Sequence, residues 1–437
     1  MRKLTVKNFS VIKEAELEFG KITVLIGPQS SGKSLLCKLA YFFSKELLEL
    51  AVESISQGTS VEQFKTVVIS AFVRRFSIDS EPGTLYAAEF EAGPYSAKIF
   101  GTISSVDRTT GDIGSDFSEE FKLLYDSLIT TQLRNGVSSG ISATSQMDEI
   151  WTKLNRLLSD PVVSQSTYIP AGRVFFTNTS LGFKFNASRN PDIDSLITAF
   201  AAELAWGRPL RRVGQVTAGD DVLDSLKQTM DRIAGGEVKM AGNVPVFAAD
   251  DGRFIDLSRL SSGTQELLPL FNVLGRLASE QEAREVNIRS IYDPPREVVP
   301  VRSKPIIYVE EPETSVFPST QYDLVRLFAR LSYEHNLDFS WVITTHSPYI
   351  LSSFNNLLEA WQVGHTDEER GKAIREIIDE KYWVNPQEFR AYSIKGGYLD
   401  SIMDKETHLI SDNFLDSVSE RIGGEFDQLL RIGYVEA

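Results

Sequence analysis

The residues with the clearest chemical potential in this 437-residue chain are Gly27-Pro28-Gln29-Ser30-Ser31-Gly32-Lys33-Ser34, which fit the spacing G-x-x-x-x-G-K-[ST]. Glycine at both ends lets the backbone turn tightly around a polyphosphate, so that the loop N–H groups and the start of the following helix, through Leu35, face the anion. Lys33 would reach the β- and γ-phosphates, and the Ser34 hydroxyl would hold Mg²⁺. The motif needs a strand before it and a helix after it. Ile22-Thr23-Val24-Leu25-Ile26 is a β-branched run, and the apolar residues from Leu36 to Ala51 recur every three or four positions.

Three further stretches carry chemistry. Leu260-Ser261-Ser262-Gly263-Thr264-Gln265 sets small residues before an apolar helix. Ser262 with Gln265 fits a capping box, an ordinary helix start; alternatively, Ser261, Ser262 and Gly263 form a second phosphate-binding helix end that would serve a nucleotide held by another subunit. Pro269 should bend that helix or delay its start. The run 304–309 is an apolar strand that delivers Glu310 and Glu311 at its end. There Glu310 would hold the Mg²⁺ shell through water, and Glu311 would orient or deprotonate the attacking water. A second apolar strand, 340–345, ends on His346, one of four histidines, placed to contact the γ-phosphate or attacking water. Alone it would read as a loop histidine; in this order with the other motifs it reads as part of the site.

The elements that must position these groups follow from periodicity. Residues 4–9 and 15–19 alternate as two antiparallel strands, and 35–55 reads as a helix. Strands are expected at 67–69, 85–91 and 95–103, a loop at 104–116, and helical pattern at 117–158 broken at 135–140. Tyr168-Ile169-Pro170-Ala171-Gly172-Arg173-Val174-Phe175-Phe176 reads as a strand broken by a Pro-Ala-Gly turn that presents Arg173. Helices at 193–206 and 222–233 precede a hairpin opened by Gly235-Gly236. Residues 279–304, with Pro294-Pro295, read as a surface excursion, and 400–430 as a core-packing helix pair. The domains expected are 1–103, a lobe with the cradle and antiparallel strands; 104–240, an inserted, mainly helical lobe that includes the Tyr168 to Arg173 strand; 241–360, a lobe with the remaining motifs; and 361–437, a helical tail.

Net charge is −15, which opposes phosphate-backbone binding over the whole surface, although a local basic groove would escape that average. The single cysteine, Cys37, excludes a disulfide framework. No run approaches the ~18 apolar residues of a membrane span, and the first residues lack a signal-peptide core, so the expectation is a cytoplasmic protein without a membrane partner.

Taken together, GPQSSGKS, LSSGTQ, VEEPE and TTHSP in this order resemble the ABC-type ATPase heads, and specifically the ATPase part of the OLD (overcoming lysogenisation defect) family. Leu4-x-Val6-x-Asn8-Phe9 and the Tyr168 to Arg173 stretch are similar to that group too, so the likeness spans most of residues 1–360. The resemblance implies an α/β head with a mixed central sheet, an antiparallel β subdomain and an inserted helical lobe. It also implies ATP and Mg²⁺ as cofactors, with two ATP molecules sandwiched between two heads, the cradle of one facing the Ser261-Ser262-Gly263 helix end of the other. Lys33, Glu311 and His346 match its catalytic groups, Ser34 and Glu310 its metal residues, and Gln165 or Gln132 its Mg²⁺-sensing glutamine. Glu310 stands where ABC heads usually carry aspartate, no long coiled coil is present, and the tail lacks the acidic constellation of a TOPRIM nuclease. Similar stand-alone heads serve two-gene anti-phage systems such as PARIS and Septu. Self-association, a separate nuclease or toxin effector and a phage-encoded trigger are the partners this implies, with a DNA-repair or DNA-clamping ATPase as the alternative.

Overall fold

A computed structural model of the chain describes residues 2–76, 83–103, 110–135, 147, 149–154, 166–178, 195–206, 221–242, 244–290, 305–334, 337–411 and 423–430. It opens on a hairpin, β1 (Arg2–Phe9) and β2 (Ile12–Phe19), whose alternating Leu4, Val6, Ile12, Ala15 and Leu17 are buried. Next comes β3 (Ile22–Ile26), buried throughout, then the cradle and α1 (Lys33–Tyr41), which passes through a π turn at Phe42–Glu46 into α2 (Leu47–Ser56). Helix α3 (Val61–Arg75) leads to β4 (Leu85–Ala92), β5 (Tyr95–Ile103), β6 (Thr110–Phe117) and α4 (Glu119–Asn135). A short strand, β7 (Thr167–Ile169), is followed by α5 (Val174–Asn178), α6 (Ser195–Trp206) and α7 (Asp221–Ala234). A separate three-stranded sheet of β8 (Gly236–Ala241), β9 (Val244–Ala249) and β10 (Phe254–Asp256) feeds the long α8 (Ser262–Ser290). The remaining elements are β11 (Ile306–Glu310), α9 (Pro318–Tyr333), β12 (Ser340–Thr345), α10 (Pro348–Gly364), α11 (Glu368–Ile377), β13 (Phe389–Lys395) and β14 (Tyr398–Ser401).

Eleven of these strands form one mixed sheet in the order β6-β5-β4-β1-β2-β14-β13-β3-β12-β11-β7. The fold is α/β, with an antiparallel arm at one end and β13, β3, β12, β11 and β7 parallel at the other. The parallel strands are covered on both faces, which is why they read as unbroken apolar runs. In β11, Ile306 and Tyr308 join the core under α1 and α2, while Ile307 and Val309 join the core under α8, α9 and α10. β12 divides the same way, with Val342 on one side and Trp341 and Ile343 on the other. Register then sets the chemistry: Ile26 pairs with Thr345 and Thr344 with Glu310, so the cradle, His346 and Glu311 leave one end of the sheet together. In open parallel sheets that carboxyl end is where ligands bind.

Several expectations are corrected here. The β-branched Val67-Val68-Ile69 lies inside α3, not a strand: Ser60 and Gln63 close a capping box, and Val61, Phe64, Val68 and Phe72 bury one helical face. Part of the expected loop 104–116 is β6, paired along β5, where Gly114 accommodates the ring of Phe100: a Cβ there would stand 2.6 Å from it. The strand expected to continue past Arg173 is instead the short helix α5. Residues 279–290 continue α8, with 291–304 outside the described residues. The tail is not purely helical: β13 and β14 insert between β3 and β2, the former beside the cradle strand. Of the expected core-packing helix pair, Ile402 and Ile410 are buried but lie outside any helix, 412–422 fall outside the described residues, and 423–430 is helical yet leaves Phe426, Leu429 and Leu430 exposed rather than packed in a core.

Candidate ATPase site

Gly32 precedes α1 with φ 105°, a left-handed conformation that costs glycine little, and no side chain caps the helix end. The N–H groups of the first turn are thus available to an anion. Gly27 and Gly32 have no room for a side chain: a Cβ would lie 2.5 Å from the Ile394 carbonyl oxygen of β13 and 2.3 Å from Ile12 Cδ1, respectively. Pro28, Gln29 and Ser30 are exposed, with Ser31, Gly32 and Ser34 half-buried. Leu35 leans its side chain on the core, leaving the backbone as its route to a phosphate. Lys33 is buried, and its Nζ donates to the carbonyl oxygens of Gly27 and Pro28, both at 2.8 Å. Burial pulls the Lys33 ammonium below its usual pKa, opposed by the carboxylates of Glu311 and Glu313.

Those carboxylates come from the loop after β11. Glu311 adopts φ 41°, a strained conformation for a residue with a Cβ, and its side chain stands 3.3 Å from His346 Nε2. Both side chains are about one-third exposed. Glu310 is buried: one oxygen accepts from the Ala171 N–H at 3.3 Å, and Oε1 has no hydrogen-bond partner. Ser31 Oγ and Thr344 Oγ1 are likewise buried and unpartnered. Such orphaned oxygens are uncommon, and around a phosphate cradle they fit the shell of a hydrated cation. No cluster of three or more His, Cys, Asp or Glu side chains that could hold a metal occurs among the described residues. Mg²⁺ here would therefore depend on Ser34, Glu310 through water, and the nucleotide's own oxygens.

One positioning group escaped the sequence reading, and the surroundings of another were misread. Glu313 Oε1 accepts from the His346 N–H at 2.6 Å and from Thr345 Oγ1 at 2.8 Å, fixing the histidine's backbone to the acidic loop. Arg173, expected to be presented by its turn, is instead completely buried. A guanidinium after a turn gives no sequence sign of being buried; its partners come from segments up to 138 positions away.

The Ser261-Ser262-Gly263 end stands apart. Ser261 rather than Ser262 caps α8, accepting from the Thr264 N–H at 3.3 Å, and the Gln265 amide donates to the Leu257 carbonyl instead of closing a capping box. Ser261 and Ser262 are exposed, whereas Gly263 packs so closely that a Cβ would lie 2.7 Å from the Ser315 carbonyl oxygen. Pro269 does not delay the helix, which starts at Ser262. Proline cannot donate to the carbonyl four residues back, that of Gln265, and the Thr177 hydroxyl from α5 supplies the bond at 2.8 Å. No hydrogen bond or ion pair among the described residues joins Ser261–Gly263 to the cradle. A groove of about 450 Å³ flanks the α8 end, lined in part by Asp250, Arg253, Arg259 and Ser261. Of the sensor candidates, Gln165 lies outside the described residues, and Gln132 sits on α4, which packs on α2 and α3.

Residues 187–351 match the AAA ATPase domain. The matched range holds the α8 end, both glutamates and His346, and leaves the cradle outside. Among solved structures, the chain is similar to an SMC head domain from Thermotoga maritima, with 11% identity over 92% of this chain and 97% of that one, at TM-score 0.37. It is also similar to the Smc head domain with an extended coiled coil from Pyrococcus furiosus (11%, 97% and 100%, TM-score 0.38). A third similar structure is the dimeric bacterial ABC transporter cassette MJ0796 (10%, 91% and 96%, TM-score 0.32). No curated protein matches the sequence.

Proposed function

We propose that this chain hydrolyses ATP at composite sites formed when two copies meet head to head, each supplying a cradle to one nucleotide and a Ser261-Ser262-Gly263 helix end to the other. The observation that carries the reading is an asymmetry: cradle, carboxylates and histidine converge at one sheet end, while the hydroxyls of Ser261 and Ser262 at the α8 end are exposed and, among the described residues, make no hydrogen bond to the cradle. Gly27 to Leu35 hold the phosphates through backbone N–H groups, with Lys33 as the point charge. Glu311 takes a proton from the attacking water as the water oxygen bonds to the γ-phosphorus and the β–γ bridging oxygen leaves with its electron pair. His346 stabilises the charge developing on the γ-phosphoryl oxygens. Bound Mg²⁺, held by Ser34 and through water by Glu310, would neutralise charge between the β- and γ-phosphates.

The wider role rests on the order of the four motifs. On this proposal the ATP-driven assembly, of two copies or a larger even number, senses or scaffolds in the bacterial cytoplasm and restrains a separate nuclease or toxin until a phage component alters closure. A DNA-clamping ATPase is the less favoured reading, because a net charge of −15 opposes backbone binding. No described helix is long and apolar enough to cross a membrane.

The test pairs light scattering with phosphate release for wild type and Glu311→Gln, with and without ATP and Mg²⁺. Loss of the carboxylate should slow turnover ~100-fold or more while the ATP-bound assembly accumulates. Unchanged turnover would remove the role given to Glu311; a monomer under every condition would remove the composite site.

A further inference from the structure

Arg173 is the most heavily engaged buried cation among the described residues, and the phosphate chemistry does not use it. Its guanidinium is fully enclosed. Nη1 donates to the carbonyl oxygens of Pro170 at 2.9 Å and Glu310 at 2.8 Å, Nη2 to that of Glu311 at 3.1 Å, and Nε to that of Glu266 at 3.2 Å. The Arg173 N–H donates to Glu266 Oε2 at 3.0 Å, and the two side chains form an ion pair at 3.2 Å. These four side-chain bonds leave from three nitrogens of one fork with five N–H donors; an ammonium, with three donors on a single atom, could not keep all of them.

Its partners belong to two parts of the site. Glu266 lies one turn into α8, directly behind the Ser261-Ser262-Gly263 end. The Glu310 and Glu311 carbonyls belong to the acidic loop, where Glu311 holds its strained φ through a bond from its N–H to the Thr344 carbonyl at 2.8 Å and bonds from Arg173 Nη2 and the Thr314 N–H to its own carbonyl. The same two segments touch again where Gly263 meets the Ser315 carbonyl. Buried ion pairs of this kind seldom add net stability, because desolvation offsets the attraction; their better-attested use is to specify one arrangement.

We propose that Arg173, with Glu266, is the positioning device that ties the helix end offered to the second copy to the placement of Glu311 over the attacking water. When a second nucleotide loads the α8 end, Glu266 moves with the helix, and Arg173 carries the displacement to the Glu310-Glu311 peptide. The inference rests on the composite-site reading, yet part of its test is independent of hydrolysis.

The experiment uses full-length Arg173→Lys, Glu266→Gln and the charge-free double variant Arg173→Met/Glu266→Leu. In the absence of nucleotide, hydrogen exchange at residues 310–316 should accelerate in Arg173→Lys while exchange in β3 stays as in wild type. In hydrolysis, kcat should fall on the order of 10²-fold, as for misplacement of a reacting group, with KM within about threefold of wild type. The double variant separates positioning from packing: it should fold, yet remain as slow as Arg173→Lys. Recovery of kcat in the double variant, or wild-type exchange and kcat in Arg173→Lys, overturns the proposal. If the double variant fails to fold, Arg173→Lys and Glu266→Gln decide between the same outcomes. A wild type that does not hydrolyse ATP overturns the composite-site reading instead, while the exchange measurement still judges the device.

Discussion

The cradle and the α8 end are both helix N-termini suited to phosphate, yet the chain treats them differently. The cradle is built from inside: Gly27 touches β13, Gly32 touches the β1–β2 hairpin, and Lys33 is buried among loop carbonyls and beside carboxylates. The α8 end is held from behind by Glu266, Gln265 and Gly263, while Ser261 and Ser262 face solvent. One is closed by its own chain and the other is rigid but unanswered. A helix end fixed this firmly and left open is better explained by a ligand or partner than by local packing, since an exposed cap alone does not require a buried arginine and a glycine contact behind it.

The largest effect should come from breaking each end separately. Lys33→Ala removes the phosphate charge, and Ser262→Arg blocks the exposed end without touching the core; each alone should lower hydrolysis ~100-fold or more. Because the lesions lie on different halves of a composite site, mixing the two variants should restore roughly a quarter of wild-type turnover, from mixed pairs in which one site is intact. Phosphate release on titrating one variant with the other reads this directly. If the mixture stays as inactive as its components, the sites are not shared.

A smaller effect should appear in stability. Gly263→Ala drives a Cβ to 2.7 Å from the Ser315 carbonyl and Gly27→Ala to 2.5 Å from that of Ile394, both backbone atoms that yield only by moving a loop or strand. Each should cost about 1–3 kcal/mol in denaturant unfolding. Gly172→Ala is the control: it meets nothing within 4 Å and suffers only its φ of 72°, so about 1 kcal/mol is expected. Gly27 and Gly263 have no left-handed φ to lose, so a negligible cost at either would mean that the neighbouring loop or strand yields and that close approach does not constrain that end.

What could be read from residue order divides along the same line. Polyphosphate chemistry demands particular residue types at fixed spacing, and buried parallel strands must be apolar up to their last residue, so the strands that deliver Glu310, Glu311 and His346 were legible. The groups that hold the open end and fix the acidic loop were not. Arg173, Glu266 and Glu313 act through partners set by tertiary contact, and a charged residue carries no local mark of burial. The misread elements have local causes. Val67-Val68-Ile69 weighs toward strand unless the Ser60–Gln63 cap is counted, and β6 hides in a Gly- and Asp-containing stretch because its pairing on β5, not propensity, makes it a strand. β13 was lost because the tail was read by helical spacing, although Phe389, Ala391 and Ile394 are buried beside the cradle strand.

The smallest expected effect separates the two ends by pH. Burial lowers the pKa of Lys33 from 10.5, and Glu311 and Glu313 act to raise it. In the window between the lowered value and 10.5, the unfolded chain carries more protons than the folded one, so the nucleotide-free protein should gain stability from this group as pH rises. Phosphate binding needs the charged ammonium, and across the same window affinity for ADP should decline. Glu311→Gln removes one of the charges that favour the protonated form, so the decline should begin at lower pH in that variant. The Ser261-Ser262-Gly263 end carries no group that titrates there, and Ser262→Arg should leave the ADP profile of the isolated chain unchanged. Equilibrium binding of ADP from neutral pH to about pH 10 in the three proteins measures this. Superposable profiles in wild type and Glu311→Gln would show that the carboxylate does not act on Lys33, and a shifted profile in Ser262→Arg would show that the exposed helix end already contributes to the nucleotide site of its own chain.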